Sequence, residues 1–131
     1  MLTVVLEAFW DGTDIEMTVN RLVQGLLTAG IDTLIHQGEL DLACNTAGNH
    51  YWASLLKWPG QAAFVAQKSS PWFVASETGH KDASEAGVFQ EVTVSNCHTA
   101  GRRKRFAFLT HHGTGHMSPR DKVNIAVGVP N

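Results

Sequence analysis

The sequence predicts an α/β fold, with helices packed on a sheet of mixed strands. An amphipathic helical pattern at about residues 14–29 is followed at once by an apolar strand at 31–36. Further along, residues 88–96 alternate between apolar and polar side chains, and an apolar segment at 104–110 can return beside them. Helical and strand periodicities therefore occur in one chain of 131 residues, a length that fits a single domain over residues 1–131.

The helix at 14–29 has a defined start and end. Thr13 and Glu16 match a capping box, in which the threonine hydroxyl accepts from a helical amide and the glutamate reaches back. Gly30 stands where a left-handed C-cap is expected. Ahead of this helix, the apolar and β-branched residues 2–9 predict a strand, although a helix is also compatible with them.

The middle of the chain predicts one helix and several short segments. Residues 49–57 suit a helix that Trp58-Pro59-Gly60 would end, because proline and glycine interrupt helices. Short apolar segments follow at 61–67 and 72–76, and the polar residues 77–87 predict a loop.

The last third of the chain predicts a turn, the start of a helix and a final segment with strand-like alternation. Residues 98–103 would form the turn between the two late strands. Ser118-Pro119 can open a helix, since proline is favoured at the first helical position, and residues 123–129 alternate as a strand would.

Composition limits the classes of function. Charged residues make up 17% of the chain, against about 25% in a typical domain, which suggests apolar surface covered by a partner or by a missing part of the fold. The net charge of −2 implies no global attraction to nucleic acid. Two cysteines without a C-x-x-C pattern indicate a reducing compartment. We expect neither a signal peptide nor a membrane span.

Two polar segments follow strands that could be parallel neighbours. Glu39 and Asp41 come after the strand at 31–36, and His116 comes after the strand at 104–110. Open α/β sheets place their sites outside the carboxyl ends of strands. An aspartate there can fix the tautomer of a histidine, which then takes a proton from a serine. Asp41 and His116 are therefore candidates for the acid and base of a triad.

Longer segments around these residues resemble a known family. LIHQGELDLACN resembles the acid segment of the serine carboxypeptidase family, typically a strand followed by G-D-x-D-x-x-C-N. GTGHMSPRDK resembles its histidine segment, typically G-x-G-H-M-x-P-x-D. WASLLKWPGQAAF, SSPWFV and LVQGLLTAGIDTLIH resemble the helices and strands around them. The resemblance covers about residues 14–125 and implies the C-terminal portion of an α/β-hydrolase-like sheet.

The resemblance also implies roles for particular residues. Asp41 matches the catalytic acid and His116 the catalytic base. Cys44, Asn45 and Met117 match neighbours of the substrate site. The family hydrolyses the C-terminal residue of a peptide through an acyl-enzyme, so a peptide substrate is expected, with no cofactor and no metal. It also implies a vacuolar, lysosomal or secreted protein, which conflicts with the compartment indicated by the cysteines.

The chain departs from the family pattern in several places. Glu39 stands where aspartate is usual, Thr114 replaces a smaller residue, Ser118 replaces an apolar residue, and Val123 replaces a frequent proline. The largest departure is the absence of the G-x-S-x-G segment that holds the nucleophile. We therefore expect a partial domain that is inactive alone and obtains its serine from an upstream chain or segment.

Two other functions remain open on the sequence. The missing serine and the low charge are compatible with a non-enzymatic binding or assembly module built on the same scaffold. The cationic residues 102–105 could grip phosphate in a nucleic acid, although a solvated turn or a protein contact also explains them. No aromatic stripe accompanies these cations, so nucleic acid is not the expected partner.

Two minor sites are weaker alternatives. His36, His111 and His112 could bind zinc, but their spacing fits no established pattern, and loop histidines bonded to backbone or water explain them as well. Cys97 beside His98 could act as a nucleophile and base, whereas a core cysteine is the simpler interpretation.

Overall fold

A four-stranded mixed sheet forms the frame of the protein. The computed structural model describes residues 19–74, 84–95 and 103–122. The strand order is β1-β4-β3-β2, with β1 parallel to β4 and the other pairs antiparallel. The strands are β1 (Thr33–Gly38), β2 (Ser70–Val74), β3 (Ser84–Ser95) and β4 (Arg103–His111). The helices are α1 (Asn20–Ala29), α2 (Thr46–Ser54), α3 (Gln61–Ala66) and the short α4 (Ser118–Asp121).

Helix α1 confirms the predicted helix over its described part. Gly30 has a φ of 85°, and its amide donates to the carbonyl of Leu27, which is the predicted left-handed cap. The inner side of the helix buries Leu27 completely. The predictions for residues 2–9, 13–16 and 123–129 lie outside the described residues.

The main core lies between β4 and the first three helices. Phe106 and Phe108 of β4 are buried. They pack with side chains from α1, α2, α3 and the segments between them: Leu27, Ala53, Leu56, Trp58 and Phe64. A second cluster around Leu109 and Trp72 lies outside this core. Clusters on both sides make β4 the buried centre of the sheet.

Several element boundaries differ from the predictions. The apolar segment 61–67 is a helix, α3, and the predicted loop 77–87 loses its last four residues to β3. Gly87 pairs with both His111 and Trp72, so strand pairing outweighs the polar local sequence. Strand β1 begins and ends two residues later than predicted, and α2 begins three residues earlier because Asn45 caps it.

No helix within the described ranges is long and apolar enough to cross a membrane.

Candidate active site

Strands β1 and β4 end side by side. Their parallel register pairs Gly38 with His111, so both carboxyl ends lie at one edge of the sheet, as the site hypothesis required. Backbone bonds continue this contact beyond the strands. The amide of Glu39 donates to the carbonyl of His111 at 2.9 Å, and that of Leu40 donates to Thr114 at 2.9 Å. The acid loop (residues 39–45) therefore lies against the histidine loop (residues 112–117).

The two loops bring Asp41 and His116 into direct contact. His116 Nδ1 lies 2.7 Å from Asp41 Oδ2. A carboxylate has no proton to give, so the imidazole donates through Nδ1, which leaves Nε2 as the proton acceptor. The Asp41 side chain is only 5% exposed, whereas that of His116 is 68% exposed. The pair thus has a buried anchor and an accessible imidazole.

Asp41 is held as a charged carboxylate. Its other oxygen, Oδ1, accepts from the amides of Cys44 at 2.9 Å and Ala43 at 3.0 Å. The amide of Cys44 and then the side chain of His116 are the largest causes that hold the pKa of Asp41 below its ordinary value, against the effect of burial. A charged carboxylate is the form that can orient an imidazole and stabilise its cation.

The three residues predicted to lie near the substrate site, Cys44, Asn45 and Met117, differ in their exposure and contacts. Cys44 is an exposed free thiol, and Met117 is 55% exposed. Asn45 instead accepts from the amide of Gly48 at 2.8 Å and caps α2. The structure therefore gives Asn45 a local helix-capping contact that the sequence analysis did not assign to it.

Two carboxylates hold the histidine loop in place. Glu39 Oε2 accepts from the amide of Gly113 at 3.2 Å and lies 3.2 Å from His112 Nδ1. Asp121 Oδ2 accepts from the amide of Gly115 at 2.8 Å. The Gly113 amide is the main cause that lowers the pKa of Glu39. Neither contact could be predicted from the sequence, because their partners are backbone amides that no residue type reveals.

Two hydroxyl groups add bonds within the same region. Thr114 Oγ1 donates to the carbonyl of His111 at 3.2 Å, and Ser118 Oγ donates to that of Gly115 at 3.3 Å. Both residues are buried. Together with Glu39, these are three of the positions where the sequence departs from the family pattern. Each of these three residues therefore forms a hydrogen bond within the histidine loop or to the end of β4 that precedes it.

The three histidines of the zinc alternative do not converge in the described part of the chain. His111 Nε2 lies 3.3 Å from His36 Nδ1. His112 instead lies between two carboxylates, at 3.2 Å from Glu39 and 3.4 Å from Glu85. Three other potential metal ligands do lie close together in the described part of the chain: Asp41, Cys44 and His116.

Two of the cationic residues 102–105 form contacts with other parts of the protein. Lys104 is 1% exposed, and its Nζ donates to the carbonyl of Thr28 at 2.7 Å. The Arg105 side chain pairs with Asp32 at 2.9 Å, and its amide donates to the same carboxylate. Of the explanations open for residues 102–105, a solvated turn is excluded for Lys104, because its side chain is buried and reaches the end of α1.

Comparisons with known proteins identify the family of this chain. A family model described as serine carboxypeptidase matches residues 3–129. Serine carboxypeptidase 3 from Oryza sativa subsp. japonica is 36% identical over 100 residues, covering 76% of this chain and 16% of the relative. A serine carboxypeptidase-like protein from Pisum sativum is 35% identical over 102 residues, covering 78% of this chain and 29% of the relative.

A solved structure shows the same fold. A prohormone-processing carboxypeptidase from Saccharomyces cerevisiae superposes with a TM-score of 0.64 at 25% identity, over 84% of this chain and 21% of that chain. The mixed sheet with packed helices is thus part of an α/β-hydrolase fold, which confirms the predicted fold class. The chain belongs to the serine carboxypeptidase family. It spans between 16% and 29% of the length of these curated relatives.

Proposed function

We propose that this chain supplies the acid and the base of a serine-type carboxypeptidase, an enzyme that removes the C-terminal residue of a peptide. The observation that carries the proposal is the 2.7 Å contact between His116 Nδ1 and Asp41 Oδ2 at the carboxyl edge of the sheet. The family assignment supports the reaction type, and the exposed imidazole supports access of a nucleophile and a peptide.

In this proposal each group has a defined step. His116 Nε2 takes the proton of a serine hydroxyl as the hydroxyl oxygen attacks the peptide carbonyl. Asp41 stabilises the imidazolium that forms, and its lowered pKa keeps it charged while it does so. His116 then gives the proton to the leaving amine, and water hydrolyses the acyl-enzyme by the same route.

The serine comes from an upstream chain or segment in this proposal. The sequence has no G-x-S-x-G segment. Among the described residues, the hydrogen-bond partner of His116 is Asp41, and no described serine bonds to its ring. A nearby cavity of about 490 Å³ is lined by residues such as Thr46, His50 and Gln90, and neither member of the pair lines it. In this proposal the upstream part also contributes to the substrate pocket at the pair.

Reconstitution tests this function. The chain is combined with the nucleophile-bearing part of a serine carboxypeptidase, and release of C-terminal residues from peptides is measured. We expect activity only in the combination, with Asp41→Asn lowering kcat by about 10⁴-fold as in other serine triads. His36→Ala, at an exposed histidine away from the pair, is the matched control and should retain activity. Activity that survives His116→Ala would show that His116 is not the base.

A non-enzymatic binding or assembly module is the second candidate. Helix α1 and its N-cap residue Val19 expose a row of apolar side chains at helical spacing: Val19, Leu22 and Leu26 are 47%, 63% and 42% exposed. The upstream part would cover such a row in the enzyme, and a bound partner would cover it in a binding module. As a binding or assembly module, the chain should associate with itself or with that partner in sedimentation and yield no activity on reconstitution. A chain that stays monomeric at every concentration and binds no partner would contradict this candidate.

We also place the working protein in a vacuole, a lysosome or the extracellular space, as the family resemblance implies. Imaging of the tagged protein in its own cells tests this, and a purely cytosolic signal would contradict it.

A further inference from the structure

We propose that Asp41, Cys44 and His116 form a binding site for a thiol-seeking divalent cation such as Zn²⁺. One ligand atom from each residue lies within 4.8 Å of the other two. Carboxylate oxygen, thiolate sulfur and imidazole nitrogen are the donors that zinc uses in proteins. The proposal goes beyond the carboxypeptidase function and does not depend on it.

The acid loop already arranges two of the three donors. Asp41 Oδ1 accepts from the amides of Ala43 and Cys44, which folds the loop back on its own carboxylate. This turn brings the Cys44 side chain beside Asp41 and leaves Oδ2 directed away from the loop. His116 reaches Oδ2 from the histidine loop, so the third donor comes from a separate segment.

A small adjustment would make the three donors fit one ion. Zinc bonds of about 2.0–2.3 Å in a tetrahedron place two ligand atoms roughly 3.3–3.6 Å apart. The contact between Asp41 Oδ2 and His116 Nδ1, now 2.7 Å, therefore has to open, and the sulfur has to approach. His116 and Cys44 are both exposed, so their side chains can move while the buried Asp41 stays fixed.

Binding exchanges a proton for the cation without any redox step. The imidazole proton moves from Nδ1 to Nε2 by exchange with solvent, so that Nδ1 of a neutral imidazole can bind the ion. The thiol of Cys44 gives up its proton, so one proton passes to the solvent, and water fills the fourth position. The bound ion then occupies the space of the hydrogen bond between His116 and Asp41. The metal-bound state and the hydrogen-bonded pair are therefore mutually exclusive.

Titration of the purified chain with ZnCl₂ and with CoCl₂ tests the site directly. We expect one equivalent of Zn²⁺ to bind in competition with a chelating dye, and Co²⁺ to give a thiolate-to-metal absorption band. Cys44→Ser should remove this band. Cys44→Ser and His116→Gln should each weaken binding by at least about 10–100-fold, since mutating residues that only support a ligand already costs that much. MgCl₂ should not compete, because Mg²⁺ prefers oxygen ligands.

Two matched variants control for adventitious binding. Cys97→Ser changes the other cysteine, and His36→Gln changes one of the two histidines that face each other at 3.3 Å. Both should bind Zn²⁺ like the unchanged chain, and circular dichroism should show that every variant is folded. Absence of saturable binding, a missing cobalt–thiolate band, or binding that Cys97→Ser or His36→Gln weakens as much as Cys44→Ser would overturn the proposal. No peptidase activity enters the measurement, so its failure is distinct from failure of the carboxypeptidase function.

Discussion

Gly38, the last residue of β1, lies against the backbone carbonyl of Gly115 so closely that a Cβ at position 38 would overlap it. The carbonyl of Thr114 blocks the same space. Gly38 is three residues before Asp41, and Gly115 directly precedes His116. The absence of a side chain at this position therefore lets the acid loop approach the histidine loop closely enough for the pair to form.

Replacing Gly38 by alanine should destabilise the protein and separate the two loops. Backbone atoms cannot move aside as a flexible side chain can, so we expect a loss of about 1–3 kcal/mol in the free energy of unfolding, measured in urea. Gly25→Ala is the matched control, because nothing lies within 4 Å of its Cβ position inside α1. It should be neutral or stabilise the helix by up to about 1 kcal/mol. Equal effects of both substitutions would refute the close approach as the cause.

Asn45→Ala should weaken the start of α2. The side chain of Asn45 satisfies the amide of Gly48, and loss of such a cap typically costs about 0.5–2 kcal/mol. Asn45→Ser keeps a capping oxygen and should retain most of the stability. Thermal unfolding of the three proteins gives the comparison. Indistinguishable transitions for the alanine and serine variants would mean that the cap contributes little.

Asp41 should make the protein sensitive to acid. Its pKa is lower in the folded chain than its ordinary value of 3.8, so the unfolded chain binds the proton more readily. The resulting stabilisation is present above the ordinary value and is lost as the pH falls through the folded value. Asp41→Asn should therefore flatten the fall in stability below about pH 5, measured as urea midpoints across the acid range. A variant curve that runs parallel to the original would contradict this origin.

His111 should give a second pH dependence at higher pH. Burial, and then the nearby charge of His36, lower the pKa of His111 from its ordinary value of 6.5. The unfolded chain therefore binds the proton first, so this stabilisation is complete above about pH 6.5 and is lost as the pH falls below it. His111→Phe keeps an aromatic ring against Trp72 and removes the titrating group. Its urea midpoint should stay level between about pH 7 and 5, and a slope equal to that of the original chain would exclude His111 as the source.

Two kinds of feature could be predicted from the sequence. One follows from local periodicity, and the other from the position of a motif directly after a strand. Helix α1 with its glycine cap followed from spacing and from Gly30. The meeting of Asp41 and His116 followed from two motifs placed after two apolar strands, because parallel neighbours end at one edge of a sheet. The catalytic roles of these two residues remain a prediction.

Other features depend on tertiary contacts that local sequence does not encode. The segment 84–87 joins β3 because β2 pairs with Ser84, Glu85 and Gly87, and β4 pairs with Gly87. Lys104 lies in a cationic run and is buried because the end of α1 offers the carbonyl of Thr28. Glu39 and Asp121 bind backbone amides of the histidine loop, and any residue type supplies such amides.

The contact between Asp41 and His116 joins residues 75 positions apart in the chain. It depends on the parallel pairing of β1 with β4, and such distant pairing requires closure of a long loop before any contact can stabilise it. The helices and the β3–β4 pair can therefore form during folding while the contact is still absent. Its appearance marks the moment at which β1 joins the sheet. A chain cut between the two loops would have to rebuild the contact by association of two fragments.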